Sequence, residues 1–282
     1  MLVRRIFVVV VALAAILVTT GAHGAAGSSV AAVPLSSPTP AWYTSALHTA
    51  VVDAAARGEG VALPTGAEVD VPASGLAFTG IRPGSWMLFP AGCTLNFVFG
   101  SPGSYAIGTA GHCTSVGEEV TIVAAPGVLM NIGTTVTSVN NDVGDDFALI
   151  SIRPEMQQHV RPSMAHFGGP TGAGDPQFGD VAQHTGHGLV IGTGGTPRAG
   201  AVVYRGAGDH PGSDAFAWAG AAAPGDSGSP VTLAGGAAAG NLTHLVVGGP
   251  YVPGDVAGTS ISRMLAIAGL PLATAAAVPN PL

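Results

Sequence analysis

Three short stretches of this sequence carry residue types that could act together on a carbonyl group. Pro224-Gly225-Asp226-Ser227-Gly228-Ser229-Pro230 sets a serine between glycines, and Thr109-Ala110-Gly111-His112-Cys113 sets a histidine beside a cysteine. Between them Asp146 opens the apolar run Phe147-Ala148-Leu149-Ile150. A serine hydroxyl is a weak nucleophile at neutral pH and needs a base to take its proton. His112 suits that task, because imidazole titrates near neutrality and can return the proton to a leaving group. A carboxylate on the other ring nitrogen would fix the tautomer and stabilise the imidazolium. Asp146 fits, at the head of a strand that would partly bury it; Asp145 and Asp142 compete for the position. Gly225 permits backbone geometry that a side chain would block. In such a turn the amides of Gly225 and Ser227 can converge on one point and stabilise a developing oxyanion.

The elements that must hold these residues read as strands. Apolar runs bounded by Gly and Pro occur at 86–89, 94–99, 120–123, 128–130, 136–139 and 147–152. After a Gly/Pro-rich crossing at 162–182 a second set follows, at 188–191, 201–204, 215–218, 230–233 and 242–247. Many short strands with turn signals between them predict barrels or a sandwich. The crossing divides the chain into a first barrel over about 81–161 and a second over about 183–259. Ser260 to Ala268 then reads as a C-terminal helix with Ile261, Met264, Leu265 and Ala268 on one face. Ahead of the barrels, 27–80 reads as a Ser/Pro/Ala-rich linker followed by a helical extension or propeptide. There Trp42, Leu47, Val51 and Ala55 recur at helical spacing and Gly58 marks a stop.

Composition restricts partners and compartment. The chain of 282 residues carries 43 Gly and 22 Pro, yet 47% hydrophobic content predicts a substantial core. Only 9% of residues are charged, against roughly 25% in an average soluble domain. All nine basic residues are arginines, the net charge is −7, and no arginines cluster, so a nucleic-acid partner is not expected. Residues 1–26 read as a signal peptide, with Arg4-Arg5, the 13-residue apolar run Ile6–Val18, and small residues at 21–26. That run is short for a membrane span, which needs about 20 residues. No stable membrane association is expected unless the segment stays uncleaved as an anchor. Export gives meaning to the two cysteines, Cys93 and Cys113. An even count without a CxxC pattern favours one disulfide in an oxidising compartment.

The three motifs together resemble those of the trypsin/chymotrypsin family, particularly its short secreted bacterial members, over roughly 84–268. The chain order His, Asp, Ser is that of this family and differs from subtilisins and α/β-hydrolases. The resemblance implies an all-β fold of two antiparallel β-barrels, the chymotrypsin-like double barrel, with the site in the cleft between them. It implies His112 as base, Asp146 rather than Asp145 or Asp142 as orienting acid, Ser227 as nucleophile, and Gly225 with Ser227 as oxyanion donors. It also implies a Cys93–Cys113 disulfide beside the histidine. The expected activity is that of a secreted or envelope-associated, monomeric serine endopeptidase acting on protein or peptide through an acyl-enzyme, with no cofactor and no metal. The competing reading is a protease-like protein that binds without cleaving.

Specificity is read from the same resemblance. Ala221, six residues before Ser227, should lie at the base of the primary pocket, with Thr243 and His244 on one wall. Without a carboxylate there, small or apolar side chains are expected; His244 would suit an acidic one. No segment of the Ile-Val-Gly-Gly type precedes Cys93, so no freed N-terminus of that kind is available to Asp226. A buried Asp226 would need another cation, and the expectation is an arginine from 153, 161, 198 or 205. Asn140–Asp146, the pair His184 and His187, and the formal glycosylation acceptor Asn241-Leu242-Thr243 carry weaker signals, and none is read as a site.

Overall fold

The computed structural model describes residues 32–67, 80–125, 127–188, 194–208, 210–247 and 255–278. The expected signal peptide at 1–26, part of the extension (27–31 and 68–79) and part of the 188–191 run lie outside them. The chain runs β1 (Ala32–Pro34), α1 (Ser45–Ala55), β2 (Val61–Ala62), β3 (Trp86–Phe89), β4 (Cys93–Thr94), β5 (Val98–Phe99) and β6 (Ala106–Thr109). A 3-10 turn at Gly111–Cys113 leads to β7 (Glu119–Ala125), β8 (Val128–Asn140) and β9 (Asp146–Ile152). The second half holds β10 (Val181–His187), β11 (Gly194–Gly206), β12 (Ala215–Trp218), β13 (Pro230–Leu233), β14 (Ala238–Asn241), β15 (His244–Val246), β16 (Val256–Thr259) and α2 (Ile261–Ala268).

These strands make two antiparallel sheets, the chymotrypsin-like double barrel. The first has the order β4-β3-β7-β8-β9-β6-β5 with β2 on β8, and the second β1-β15-β16-β12-β11-β10-β13-β14. Each barrel closes on its own apolar interior. Met87, Leu95, Ile107, Ile122, Ile132 and Ile150 fill the first, and Val202, Phe216, Trp218, Val231 and Val256 fill the second. A third cluster of Phe97, Phe99, Phe147 and Leu149 receives Ile261 and Met264 from α2, so that helix seals the seam. Ser260 caps α2 by accepting from the Arg263 N–H at 3.3 Å, and Gly269 ends it at φ 63°.

Departures from the sequence reading have clear causes. The runs at 128–130 and 136–139 belong to one strand, β8, because Asn131–Thr135 keep extended pairing with β7 and β9 through the bulges. The 242–247 run becomes β15 only from His244, where pairing with β16 begins, because Leu242 still bonds to the Ser229 carbonyl at 2.9 Å in continuation of the β13–β14 pairing. The helical extension is shorter than its pattern, starting at Ser45 because Thr44 Oγ1 accepts from the Leu47 N–H at 3.3 Å. Val51 of α1 packs with Trp86, Leu88 and Leu129, fixing α1 to the first barrel.

Cys93 and Cys113 form a disulfide closing a span of 20 residues. Removing both as Cys93→Ala/Cys113→Ala is expected to cost about 3 kcal/mol by the chain-entropy argument. A urea midpoint unchanged between the variant and the parent protein would contradict this.

Candidate active site

The first barrel brings His112 and Asp146 together through its register. Antiparallel β6 and β9 pair Thr109 with Ala148, so the end of one strand meets the start of the other. His112 follows β6 on the 3-10 turn and Asp146 is the first residue of β9. The His112 N–H donates to Asp146 Oδ1 at 3.0 Å, and His112 Nδ1 lies 2.6 Å from Asp146 Oδ2. The second pairing implies a proton on Nδ1 and leaves Nε2 as an acceptor. Asp146 is fully buried, its N–H donating to Thr259 Oγ1 at 2.9 Å and its carbonyl accepting from Asn241 Nδ2 at 3.1 Å. Burial alone would raise its carboxyl pKa; the His112 ring, its hydrogen bonds and His244 outweigh that and hold it below the usual value.

The second barrel delivers Ser227 to the free side of the imidazole. Ser227 Oγ lies 2.7 Å from His112 Nε2 and 3.0 Å from the Thr243 carbonyl. Its loop is stitched to the first barrel by Thr94, whose N–H donates to the Ser227 carbonyl at 2.7 Å and whose hydroxyl donates to the Gly225 carbonyl at 2.9 Å. Two glycines make the loop possible. Gly225 sits at φ 108° with the space for a Cβ only 2.5 Å from the His187 carbonyl, and Gly228 at φ 89° with that space overlapping the Thr94 carbonyl. The amides of Gly225 and Ser227 point at one oxygen, donating at 2.5 and 3.2 Å. The oxygen they meet is the main-chain carbonyl of Leu35.

Asp226 is fully buried with Arg198 as its cation. The guanidinium donates to Oδ2 at 2.7 Å and Oδ1 at 2.8 Å, while the Ala223 and Gly188 amides donate to the same carboxylate at 2.8 and 2.9 Å. The other three arginines are engaged elsewhere. Arg153 reaches Glu119 and Asn131, Arg205 reaches Asp175 and Asp214, and Arg161 reaches main-chain carbonyls. Asp145, the rival for the orienting role, is buried against Arg263 Nε at 2.7 Å and Asn141, while Asp142 is exposed in a turn at φ 62°.

Of the residues expected around the pocket, Thr243 turns its carbonyl to Ser227 Oγ at 3.0 Å and to the Leu35 N–H at 3.2 Å. His244 is buried with Nδ1 2.8 Å from Thr243 Oγ1 and 3.8 Å from Asp146 Oδ2, its ring 5.6 Å from that of His112. It thus backs the His112–Asp146 pair. The Ala221 methyl is exposed, because the residue turns its carbonyl inward to Arg198 at 2.8 Å; Ala222 beside it packs against the apolar cluster. Asn241 is buried by its hydrogen bonds to Asp146 and Thr259, which leaves no amide for a glycan. Ligand atoms of His112, Asp146 and His244 lie within 4.8 Å of one another, a spacing a metal ion could use. Of the three, Asp146 and His112 are hydrogen-bonded in a chain that ends on Ser227, while His244 Nδ1 bonds to Thr243 Oγ1.

His184 and His187 are buried beside the loop that carries Ser227. Trp218 Nε1 donates to His184 Nδ1 at 3.3 Å and His184 Nε2 faces the Ala221 carbonyl at 3.3 Å, an arrangement that suits the neutral ring. Burial first, then the nearby Arg198 charge, lowers its pKa to about 3. Burial likewise lowers that of His187, stacked on Trp86, to about 4. Both stay neutral in the folded chain, whereas the unfolded chain protonates them near pH 6.5. Stability is therefore expected to fall as pH drops from about 6.5 toward 4, by up to about 3 kcal/mol per pH unit for two protons. The depressed Asp146 adds its own loss at still lower pH. Denaturant midpoints at pH 7 and pH 5 test this; coincident curves would refute it.

No family model matches this sequence, and no curated protein matches it. Solved structures do. A glutamic-acid-specific serine protease said to use a novel histidine triad in substrate binding aligns at TM-score 0.50 and 16% identity, over 68% of this chain and 100% of its own. Thermobifida fusca Protease A aligns at TM-score 0.46 and 20% identity, over 70% and 98% respectively. Nocardiopsis protease aligns at 0.47 and 21%, over 69% and 98%. At such identities the likeness concerns architecture, and the chain has the chymotrypsin-like double-barrel fold.

Proposed function

We propose that the chain is a serine endopeptidase that hydrolyses peptide bonds through an acyl-enzyme. The observation that carries this reading is the convergence of two hydrogen-bonded systems on Ser227. One runs Asp146–His112–Ser227 at 2.6 and 2.7 Å, and the other is the pair of amides from Gly225 and Ser227. Ser227 Oγ attacks the substrate carbonyl as His112 Nε2 takes its proton. Asp146 keeps the imidazolium oriented, and the two amides hold the negative oxygen. His112 then protonates the leaving nitrogen, and a water repeats the cycle to release the acyl group. These groups suffice for the chemistry without a cofactor, and the substrate is protein or peptide.

Export through the N-terminal segment accords with the disulfide. Among the described residues no helix is long and apolar enough to cross a membrane. We take the primary pocket to favour small or apolar side chains, since His244 is turned to Asp146 and Arg198 is neutralised by Asp226. A fluorophosphonate probe on the purified protein, with Ser227→Ala as control, tests the mechanism. Labelling lost in the control is expected, and equal labelling of both would refute it. Paired peptides differing only in Leu or Glu before the cut bond test the pocket, with the Leu peptide expected to be the better substrate. Faster cleavage after Glu would instead align this chain with the glutamic-acid-specific protease.

A further inference from the structure

The segment that fills the cleft belongs to the chain itself. Ala32–Pro34 pair antiparallel with β15, in the register Ala32 to Val246, Val33 to Leu245 and Pro34 to His244. The Leu35 N–H lies 2.9 Å from Ser227 Oγ and 3.2 Å from the Thr243 carbonyl. The Leu35 carbonyl oxygen accepts from both amides of the oxyanion site. Its side chain is 3% exposed, in the apolar cluster with Trp218, Leu242, Ala222 and Leu245. Beyond the cleft, Ser37 exchanges two main-chain hydrogen bonds with Gly92, at 2.8 and 2.7 Å, and Thr39 Oγ1 donates to the Pro90 carbonyl at 2.7 Å. The chain is thus held extended on both sides of one peptide bond, with that bond's carbonyl in the oxyanion site. Ser227 is meanwhile 0% exposed and closed to any other substrate.

We infer that Leu35–Ser36 is the protein's own first cleavage site, and that residues 32–35 plug the cleft until it is cut. The inference rests on the endopeptidase reading above and names its substrate class, an apolar strand ending Pro-Leu. Ser227 Oγ bonds to the Leu35 carbonyl carbon and its proton passes to His112. The Leu35–Ser36 C–N bond then breaks as His112 protonates the Ser36 nitrogen. Water attacks the Leu35 ester, giving a proton to His112 and a hydroxyl to the acyl carbon, and Ser227 regains its hydrogen. The part ending in Leu35 is then held by β15 and the pocket alone and can leave. Ser36 onward stays tied by Gly92, Pro90 and α1. Asp226 is already paired with Arg198, so the cut acts by emptying the cleft and needs no insertion of a new N-terminus.

The test uses the full chain produced with its own N-terminal segment, as parent, Ser227→Ala, Leu35→Asp and Ser36→Pro. N-terminal sequencing and intact mass report the cut, and fluorophosphonate labelling reports the serine. The parent is expected to begin at Ser36 and to label, with a first-order cut independent of protein concentration. Ser227→Ala should remain joined at 35–36. Leu35→Asp should be cut at least roughly 100-fold more slowly, since a carboxylate is held poorly in an apolar pocket, yet still label because the plug no longer seats. Ser36→Pro keeps Leu35 seated and should be neither cut nor readily labelled. A parent protein that labels and cleaves added peptide while remaining joined at 35–36 would overturn the inference and leave the endopeptidase reading standing. Cutting of Ser227→Ala at the same bond would overturn it as well. If neither the parent nor Leu35→Asp labels or cleaves, the endopeptidase reading fails and the inference falls with it.

Discussion

Replacing Ser227 by alanine is expected to lower peptide hydrolysis by roughly 10⁶-fold, and His112→Ala by a similar factor, with the double variant little worse than either. The non-additivity is the diagnostic part. Ser227 Oγ and His112 Nε2 share one proton across 2.7 Å, so removing either member leaves the other nothing to do. Asp146→Asn should cost less, roughly 10⁴-fold, because it spoils the tautomer while the nucleophile and amides remain. Ser227→Ala also removes a hydroxyl that touches the Leu35 N–H and the Thr243 carbonyl, which keep their own 3.2 Å hydrogen bond to each other. Circular dichroism should therefore accompany the rate measurement. A folded Ser227→Ala protein retaining a hundredth of the parent rate would refute the assignment.

How much of this was legible before the structure depends on where the information sits. Ser227 and His112 stood out as candidates because residue type, local glycine pattern and chain order each limited the chemistry, whereas only the resemblance to the trypsin/chymotrypsin family separated Asp146 from Asp145 and Asp142. Short apolar runs and the crossing at 162–182 pointed to barrels or a sandwich, and the resemblance supplied the double barrel. Choosing Arg198 among four arginines was not possible. It follows from the β10–β11 register, which sets Arg198 opposite His184 and within reach of Asp226. His244 presented the same difficulty, since a strand position does not say whether the ring faces a pocket or the carboxylate behind it. The 27–41 stretch read as linker for a sound reason. Ala, Pro and Ser suit a solvated extended chain, and they suit equally a strand laid in a cleft. What separates the two is pairing with β15, some two hundred residues away, for which no local signal exists.

Arg198→Ala is expected to be the most damaging change outside the residues that touch the reacting bond. The Asp226 carboxylate has no solvent exposure, and Arg198 supplies its two charge-assisted hydrogen bonds at 2.7 and 2.8 Å. Stranding a buried charge in this way costs on the order of 3–5 kcal/mol. The functional cost has a separate origin. Asp226 also accepts from Ala223 and Gly188, so its carboxylate fixes the turn that aims the Gly225 and Ser227 amides. Losing one such donor from register costs roughly 10²–10³ in kcat, and the pair is set by one carboxylate. Arg198→Lys should recover only part of either loss, because an ammonium cannot span both oxygens as the planar guanidinium does. Arg153→Ala, Arg161→Ala and Arg205→Ala should keep kcat within a few-fold, their partners lying away from this turn. Measuring kcat on protein verified as folded separates the two effects. Full activity in a folded Arg198→Ala chain would mean that the turn holds its amides without the ion pair, and that stability alone explains why the pair is there.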